Sequence, residues 1–513
     1  MTISSAIRSA PVVLGDLLDW PATLYPNRPA IQSADSCTTF QQLREASIEK
    51  TAMFANFGIG RFHRWGLVPT KSPRFFECLF GLLRLGAVAA PIAHSLTPER
   101  LVTVFRQARL SGFVAPLDFV LDETVLSELS LQRFRLGSHI TIFAPTDGNK
   151  QHSVQVRTID VDPALILWTS GSTGSPRGVV LQHSAILSNI RSNIAALGLQ
   201  DDDRTLVVLP IAHAYGLIHQ CLCHLAIGGT LCLPDSPLLG PSVCRLLRDW
   251  RITTLSAVPP LLGILVEETT RTRSTYPELR LITIGAARVD RGMLEQALAL
   301  FPGVQLAITY GLTEAGPRVS THFVQEGQVD PAHVGSPLSN VEICIRKRRD
   351  GAQETCVRGR SIMRSYADEA FDEGADYLLH TADRGELRNG DLYVHGRLDR
   401  TINRGGELVS AEAIEAILLR YPGIVAARVE AEPHSFWGQV PVARIVFGKG
   451  RPLPSLEALH RFCANLLPPS EVPTRFEFCD HVSGRLLEKT RRMLEIPDDC
   501  FRSEVAEIYD SAQ

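Results

Sequence analysis

Thr169-Ser170-Gly171-Ser172-Thr173-Gly174-Ser175-Pro176-Arg177-Gly178 is the stretch on which the fold of this chain turns. It follows the apolar run Ala164-Leu165-Ile166-Leu167-Trp168, which reads as a short buried strand. It gives way at once to the apolar Val179-Val180-Leu181. Glycines let successive backbone N–H groups point inward, which suits phosphate oxygens. Serine and threonine hydroxyls add donors, and the guanidinium of Arg177 adds a fixed charge. A nucleoside triphosphate is therefore the first ligand to consider. The Walker loop does not fit, because no Gly-Lys-Ser/Thr follows and Pro176 stands before Arg177. A flexible Gly/Ser linker is the plainer alternative, but the flanking apolar runs argue against it.

The stretch resembles the signature loop of the adenylate-forming superfamily of acyl- and aryl-CoA synthetases, adenylation domains and luciferases. That loop usually reads T-S-G-S-T-G-x-P-K-G, and here Arg177 takes the lysine's place. The resemblance implies that Thr169, Ser170, Gly171, Ser172, Thr173, Gly174 and Arg177 hold the pyrophosphate end of ATP. Companion motifs follow in family order. Pro210-Ile211-Ala212-His213-Ala214-Tyr215-Gly216 resembles the acid-binding P-x-x-H-x-x-G of acyl-CoA synthetases. No aspartate stands there to pair with a substrate amine, so an acid without an α-amino group is expected. Gly285-Ala286-Ala287 resembles the adenine-flanking segment, and Tyr310-Gly311-Leu312-Thr313-Glu314 resembles Y-G-x-T-E. These residue types suit their implied tasks: an aromatic against adenine, the Thr313 hydroxyl on the α-phosphate, and the Glu314 carboxylate on Mg²⁺.

Thr381-Ala382-Asp383 resembles T-G-D, with alanine for glycine, and implies that Asp383 accepts the ribose hydroxyls. Gly396-Arg397-Leu398-Asp399 resembles the G-R-x-D hinge, with Arg397 on the ribose and Asp399 as pivot. Asn403 stands where many members carry lysine. The family's last signature ends in a lysine that completes the first half-reaction. Ungapped counting from Phe476-Glu477-Phe478 places it at Lys489, although Glu488 replaces the preceding glycine. Ser483-Gly484-Arg485 imitates the same motif four residues earlier, which keeps Arg485 as the alternative cation.

The length of 513 residues calls for more than one domain, and a formal net charge of −3 offers no reason to propose nucleic acid as a partner. No run reaches the roughly 20 apolar residues of a membrane span. Met1–Pro11 lacks an apolar signal core, so a cytoplasmic protein is expected. The 11 cysteines are dispersed, as buried thiols are and disulfide frameworks are not. The dense spot His219-Gln220-Cys221-Leu222-Cys223-His224 lies in a mostly apolar helix-like run, so core packing is expected over zinc. The basic run Arg346 to Arg349, followed by the Asp350-Gly351 turn, reads as the solvated tip of a hairpin.

Helix–strand alternation points to an α/β fold with parallel strands. Residues 115–160 have no clear period. With the resemblance, the expectation is a large multi-layer N-terminal domain, 1–398, with parallel sheets and a β-barrel. A small mobile α+β C-terminal domain, 399–513, follows it. The implied reaction is ATP-dependent activation of an aryl or aliphatic acid to an acyl-adenylate, then thioester formation with CoA. His213, Thr313, Glu314 and Lys489 are the expected catalytic residues. The alternatives are transfer to a carrier-protein phosphopantetheine or to an amine, and a degenerate adenylate-binding protein.

Overall fold

The structure is a computed structural model. It describes residues 12–92, 96, 98–145, 158–169, 177–234, 240–348, 351–369, 377–404, 407–434, 438–447 and 453–479. Six parallel strands form the centre of the first sheet. Their order is Pro29–Gln32, Thr230–Cys232, Arg204–Leu206, Thr254–Ala257, Leu281–Ile284 and Gln305–Tyr310. These strands are short and apolar on both faces; Leu281–Ile284, for example, is buried throughout. That pattern is what a parallel sheet covered by helices demands. Beyond Gln305–Tyr310 the sheet continues in antiparallel strands, where the β-barrel was expected. The order there is Ser320–Phe323, His333–Pro337, Asp391–Arg397, Leu379–Arg388, Gln353–Gly359 and Val341–Lys347.

A second sheet is centred on the parallel strands Pro163–Thr169, Val88–Pro91, Arg64–Leu67 and Gly112–Pro116. Residues 115–160 contribute to it the hairpin Leu131–Leu136/Ile140–Pro145. Its outer strand is largely exposed, so it carries little of the apolar signal that sequence periodicity relies on. A third sheet contains only residues from Thr401 onward, among them Ile424–His434 and Gly438–Phe447. It has its own apolar core, in which Ile402, Ile414, Val429 and Ile445 are buried. The 3-10 turn Leu398–Arg400 stands between Asp391–Arg397 and this sheet.

Local signals account for many element ends. Thr39 accepts from the Gln42 N–H while the Gln42 side chain accepts from the Thr39 N–H, closing a capping box on Phe40–Asn56. His183–Leu197 stops at Gly198, whose φ of 57° is the left-handed conformation glycine adopts without a Cβ penalty. No helix among the described residues is long and apolar enough to cross a membrane.

His183 is fully buried, and its Nδ1 accepts the Leu14 N–H at 3.0 Å. Burial pushes its pKa down to about 4. The unfolded chain binds this proton near pH 6.5 and the folded chain does not, so stability is intact above about 6.5 and falls toward 4. The expected loss from this group is on the order of 3 kcal/mol. Denaturant titrations of His183→Gln between those pH values should show a shallower acid slope; an unchanged slope would clear His183 of the effect.

Candidate active site

The loops that carry the chemistry leave the same edge of the first sheet. Gly285 follows Leu281–Ile284, Gly311 follows Gln305–Tyr310, and the segment to His213 follows Arg204–Leu206. All three strands are parallel, so these loops meet at their carboxyl ends, where open α/β sheets bind ligands. Close packing there requires glycine at two positions. A Cβ on Gly311 would lie 1.8 Å from the Pro317 carbonyl oxygen. One on Gly285 would meet Thr309 Oγ1 at 2.7 Å and the Tyr215 ring at 3.2 Å.

Antiparallel pairing sets Asp383 directly opposite Arg397. Arg397 Nη1 donates to Asp383 Oδ1 at 3.4 Å and to the Thr381 carbonyl at 3.0 Å. On the other side of the carboxylate, the Tyr310 hydroxyl donates to Asp383 Oδ2 at 2.5 Å. Burial, reinforced by Asp383, holds the Tyr310 phenol well above its ordinary pKa, so it remains a donor. Tyr310 therefore has a polar task in addition to the expected aromatic one. The strand is strained at its bulge, because Ala382 sits at φ 56° where the superfamily's glycine would be at ease. Glu354 holds that bulge: its Oε1 accepts the Ala382 N–H at 3.1 Å and its Oε2 faces His380 Nδ1 at 2.9 Å.

Thr169 and Arg177 end two antiparallel strands and are register partners, so the Gly-rich stretch connects a hairpin. A Walker loop would instead open a helix. Ser170, Gly171, Ser172, Thr173 and Gly174 lie outside the described residues. The Arg177 guanidinium stacks 3.4 Å above the centroid of the Tyr366 ring and pairs with Glu369 at 2.8 Å. The Tyr366 hydroxyl in turn donates to Glu314 Oε1 at 3.3 Å. Burial and the Glu314 charge push the Tyr366 phenol up to about 12. Thr313 and Glu314 share one 3-10 turn, Thr313–Ala315, half buried beside this group. A partly buried carboxylate oxygen is a hard donor of the kind Mg²⁺ selects. The residues present thus fit a nucleotide and its magnesium: a donor-flanked buried carboxylate at one end, a cation and a hard oxygen donor at the other.

His213 lies at the mouth of Tyr215–Leu222, which is a π-helix where sequence suggested ordinary helix. Such wide turns recur at functional sites. The His/Cys-rich run packs in the core, as expected. His219 contacts Asn193 at 2.7 Å and Thr283 at 3.2 Å, while His224 contacts the Gln220 carbonyl and Thr254. Burial drives the Cys223 thiol up to about 12, far from the thiolate a metal needs. Ala286 is exposed with φ 70° and Ala287 is half buried in the same loop. Lys489 and Arg485 lie outside the described residues, and so does the loop at Gly405-Gly406.

Sequence reasoning missed Tyr366, Glu369 and Glu354, because each acts through a partner far away in the chain. Glu354 gave no clear signal, because it lies on the mixed strand Gln353–Gly359 beside Gln353, Thr355 and Arg358.

The family model for the AMP-binding enzyme matches residues 18–367, and that for the AMP-binding enzyme C-terminal domain matches residues 413–492. The chain belongs to the AMP-binding enzymes. Among curated members, it is 27% identical over 491 residues to a 2-succinylbenzoate–CoA ligase of Bacillus cereus strain Q1, an alignment spanning 92% of this chain and 97% of the relative. It is 27% identical over 492 residues to 4-coumarate–CoA ligase 3 of Oryza sativa subsp. japonica, spanning 88% and 86%. Its fold matches o-succinylbenzoate CoA synthetase of Bacillus subtilis, solved with its acyl-adenylate intermediate. The TM-score is 0.77 at 24% identity, over 91% of this chain and 95% of that one. These AMP-binding relatives are CoA ligases by name, in agreement with the acid–thiol ligase expected from sequence. The layered α/β architecture with a smaller C-terminal part is the expected one.

Proposed function

We propose that this AMP-binding enzyme joins a carboxylic acid lacking an α-amine to CoA in two half-reactions, through an acyl-adenylate. The observation that carries this reading is that two side-chain groups, Tyr310 with Asp383 and Arg397, and Glu314 with Tyr366 and Arg177, flank the segment Tyr310–Glu314 at the carboxyl end of one strand, with Thr313 between them. Asp383 accepts the ribose hydroxyls while Arg397 and Tyr310 hold the carboxylate in place. Gly285, Ala286 and Ala287 border the adenine, across from Tyr310. Arg177, with the Thr169–Gly174 hydroxyl and amide groups, draws charge toward the departing pyrophosphate. Magnesium, held by Glu314, would neutralise phosphate charge there. Thr313 donates to the α-phosphate, His213 borders the acid, and Lys489 bridges the two anions as they approach. The work is mainly positioning and electrostatics, since two like charges must meet.

The C-terminal domain, 399–513, turns at Asp399 between the half-reactions and removes Lys489 from the site before the thiol enters. Its separate apolar core supports this division.

The decisive experiment supplies ATP, magnesium, CoA and a panel of acids, reading pyrophosphate release and CoA thioester by mass spectrometry. Aryl or aliphatic acids should turn over and free α-amino acids should not, because an unpaired ammonium would be desolvated without a partner. Adenylation without a CoA thioester would favour a carrier-protein or amine acceptor. Nucleotide binding with no pyrophosphate release on any acid would favour a degenerate binder.

A further inference from the structure

Arg318 follows the Thr313–Pro317 segment and is 2% exposed. Neither Nη1 nor Nη2 of its guanidinium has a hydrogen-bond partner among the described residues. The groups that favour its charge are Tyr215, whose hydroxyl side approaches the guanidinium, and Cys223; among the described residues no carboxylate does so. Arg318 is the most buried arginine among the described residues, whereas the part-buried guanidiniums have acceptors: Arg61 forks onto Asp162 at 2.7 Å, Arg400 pairs with Glu415 at 2.6 Å, and Arg64 donates to the Ala108 and Ala367 carbonyls. An isolated buried cation is costly, and arginine does not escape by losing its proton. A buried guanidinium with no anion among the described residues is a place where an anionic ligand would be stabilised.

The position of Arg318 says which anion. Its Cζ lies 5.5 Å from the centroid of the Tyr215 ring. That ring packs on His219 at 5.0 Å, and both side chains reach Thr283 Oγ1 at 3.2 Å. The same ring closes over Gly285. Arg318 thus faces the π-helix that begins just after His213, on the acid side of the site. The ribose group around Asp383 and the phosphate group around Arg177 have their own cations.

Resting on the ligase reading, we propose that Arg318 binds a second carboxylate on the acid substrate, so that the enzyme activates dicarboxylic acids. The planar fork of arginine matches a carboxylate bidentately, and a site built for such a pair rejects an analogue that lacks one half of it.

The test uses the full-length enzyme with paired acids, each mono- and dicarboxylic acid sharing one carbon skeleton. In the unmodified enzyme, kcat/KM for the best diacid should exceed that of its monoacid partner by about 100-fold or more. In Arg318→Met that ratio should collapse to about 1 or invert, with KM for ATP unchanged when the monoacid is used. Arg318→Lys should recover only part of it, since an ammonium cannot fork. Equal ratios in the unmodified enzyme and Arg318→Met would overturn the proposal, as would an effect confined to KM for ATP. Thermal melts separate this outcome from misfolding and from failure of the ligase reading. Ligand-free Arg318→Met should melt no lower than the unmodified enzyme, because an uncompensated charge has left the interior. A diacid should raise the melting temperature of the unmodified enzyme alone. That shift without any turnover would refute the ligase reading and keep the Arg318 site; no shift in either protein, with no diacid preference, would refute the site.

Discussion

Asp383→Ala should lower kcat/KM for ATP by about 100- to 1000-fold, while affinity for the acid changes little. The Tyr310 hydroxyl and Arg397 Nη1 both donate to this carboxylate, from two different strands. Removing it deletes the acceptors for the ribose and takes one acceptor each from a buried phenol and a guanidinium. Charged hydrogen bonds are worth roughly 1.5–3 kcal/mol each, so losing two of them reaches the lower bound of that range in rate. Asp383→Asn keeps the shape and should show most of the same loss, which separates charge from packing. Initial rates against ATP at saturating acid check this. An Asp383→Ala enzyme with ordinary ATP kinetics would remove Asp383 from the nucleotide site.

Lys489→Ala should slow acyl-adenylate formation by about 100- to 1000-fold, the effect of deleting one donor aimed at transition-state charge. The same variant, given synthetic acyl-adenylate and CoA, should still form thioester at close to the usual rate. The reason is that the lysine acts only while the acid attacks the α-phosphate. An ammonium is a compact charge able to sit between two anionic oxygens, whereas a guanidinium prefers a planar fork. That difference favours Lys489 over Arg485. Measuring each half-reaction separately decides between them: an intact first step in Lys489→Ala, with the loss in Arg485→Ala, would reverse the assignment.

Much of the candidate site was legible because its residues sit in short, contiguous motifs. Thr313 and Glu314 occupy one turn, Gly285 to Ala287 one loop, and Asp383 faces Arg397 across a single antiparallel strand pair. Glycine needs were legible in the same way, since Gly311 and Gly285 stand at strand ends. The stretch 115–160 was not legible, because its edge strand Leu131–Leu136 is mostly exposed and its apolar residues, Leu131, Phe134 and Leu136, do not alternate strictly. Nor was the π-helix at Tyr215–Leu222, whose apolar residues suit either helix type.

The sequence alone determined the family motifs, their order, and the absence of an amine-pairing aspartate near His213. It also determined the alternation of apolar strands and capped helices that makes a covered parallel sheet. Tertiary structure alone decided which side chains meet. Tyr366 links Arg177 to Glu314 across a gap of 137 positions between the two ends only because Ser365–Tyr366 pairs beside Arg177–Gln182. Glu354 steadies the Ala382 bulge from a neighbouring strand. Arg318 reads in sequence as one more charged residue after a turn. Burial of Nη1 and Nη2 without a hydrogen-bond partner among the described residues is what marks it, and burial depends on what the rest of the chain packs around it.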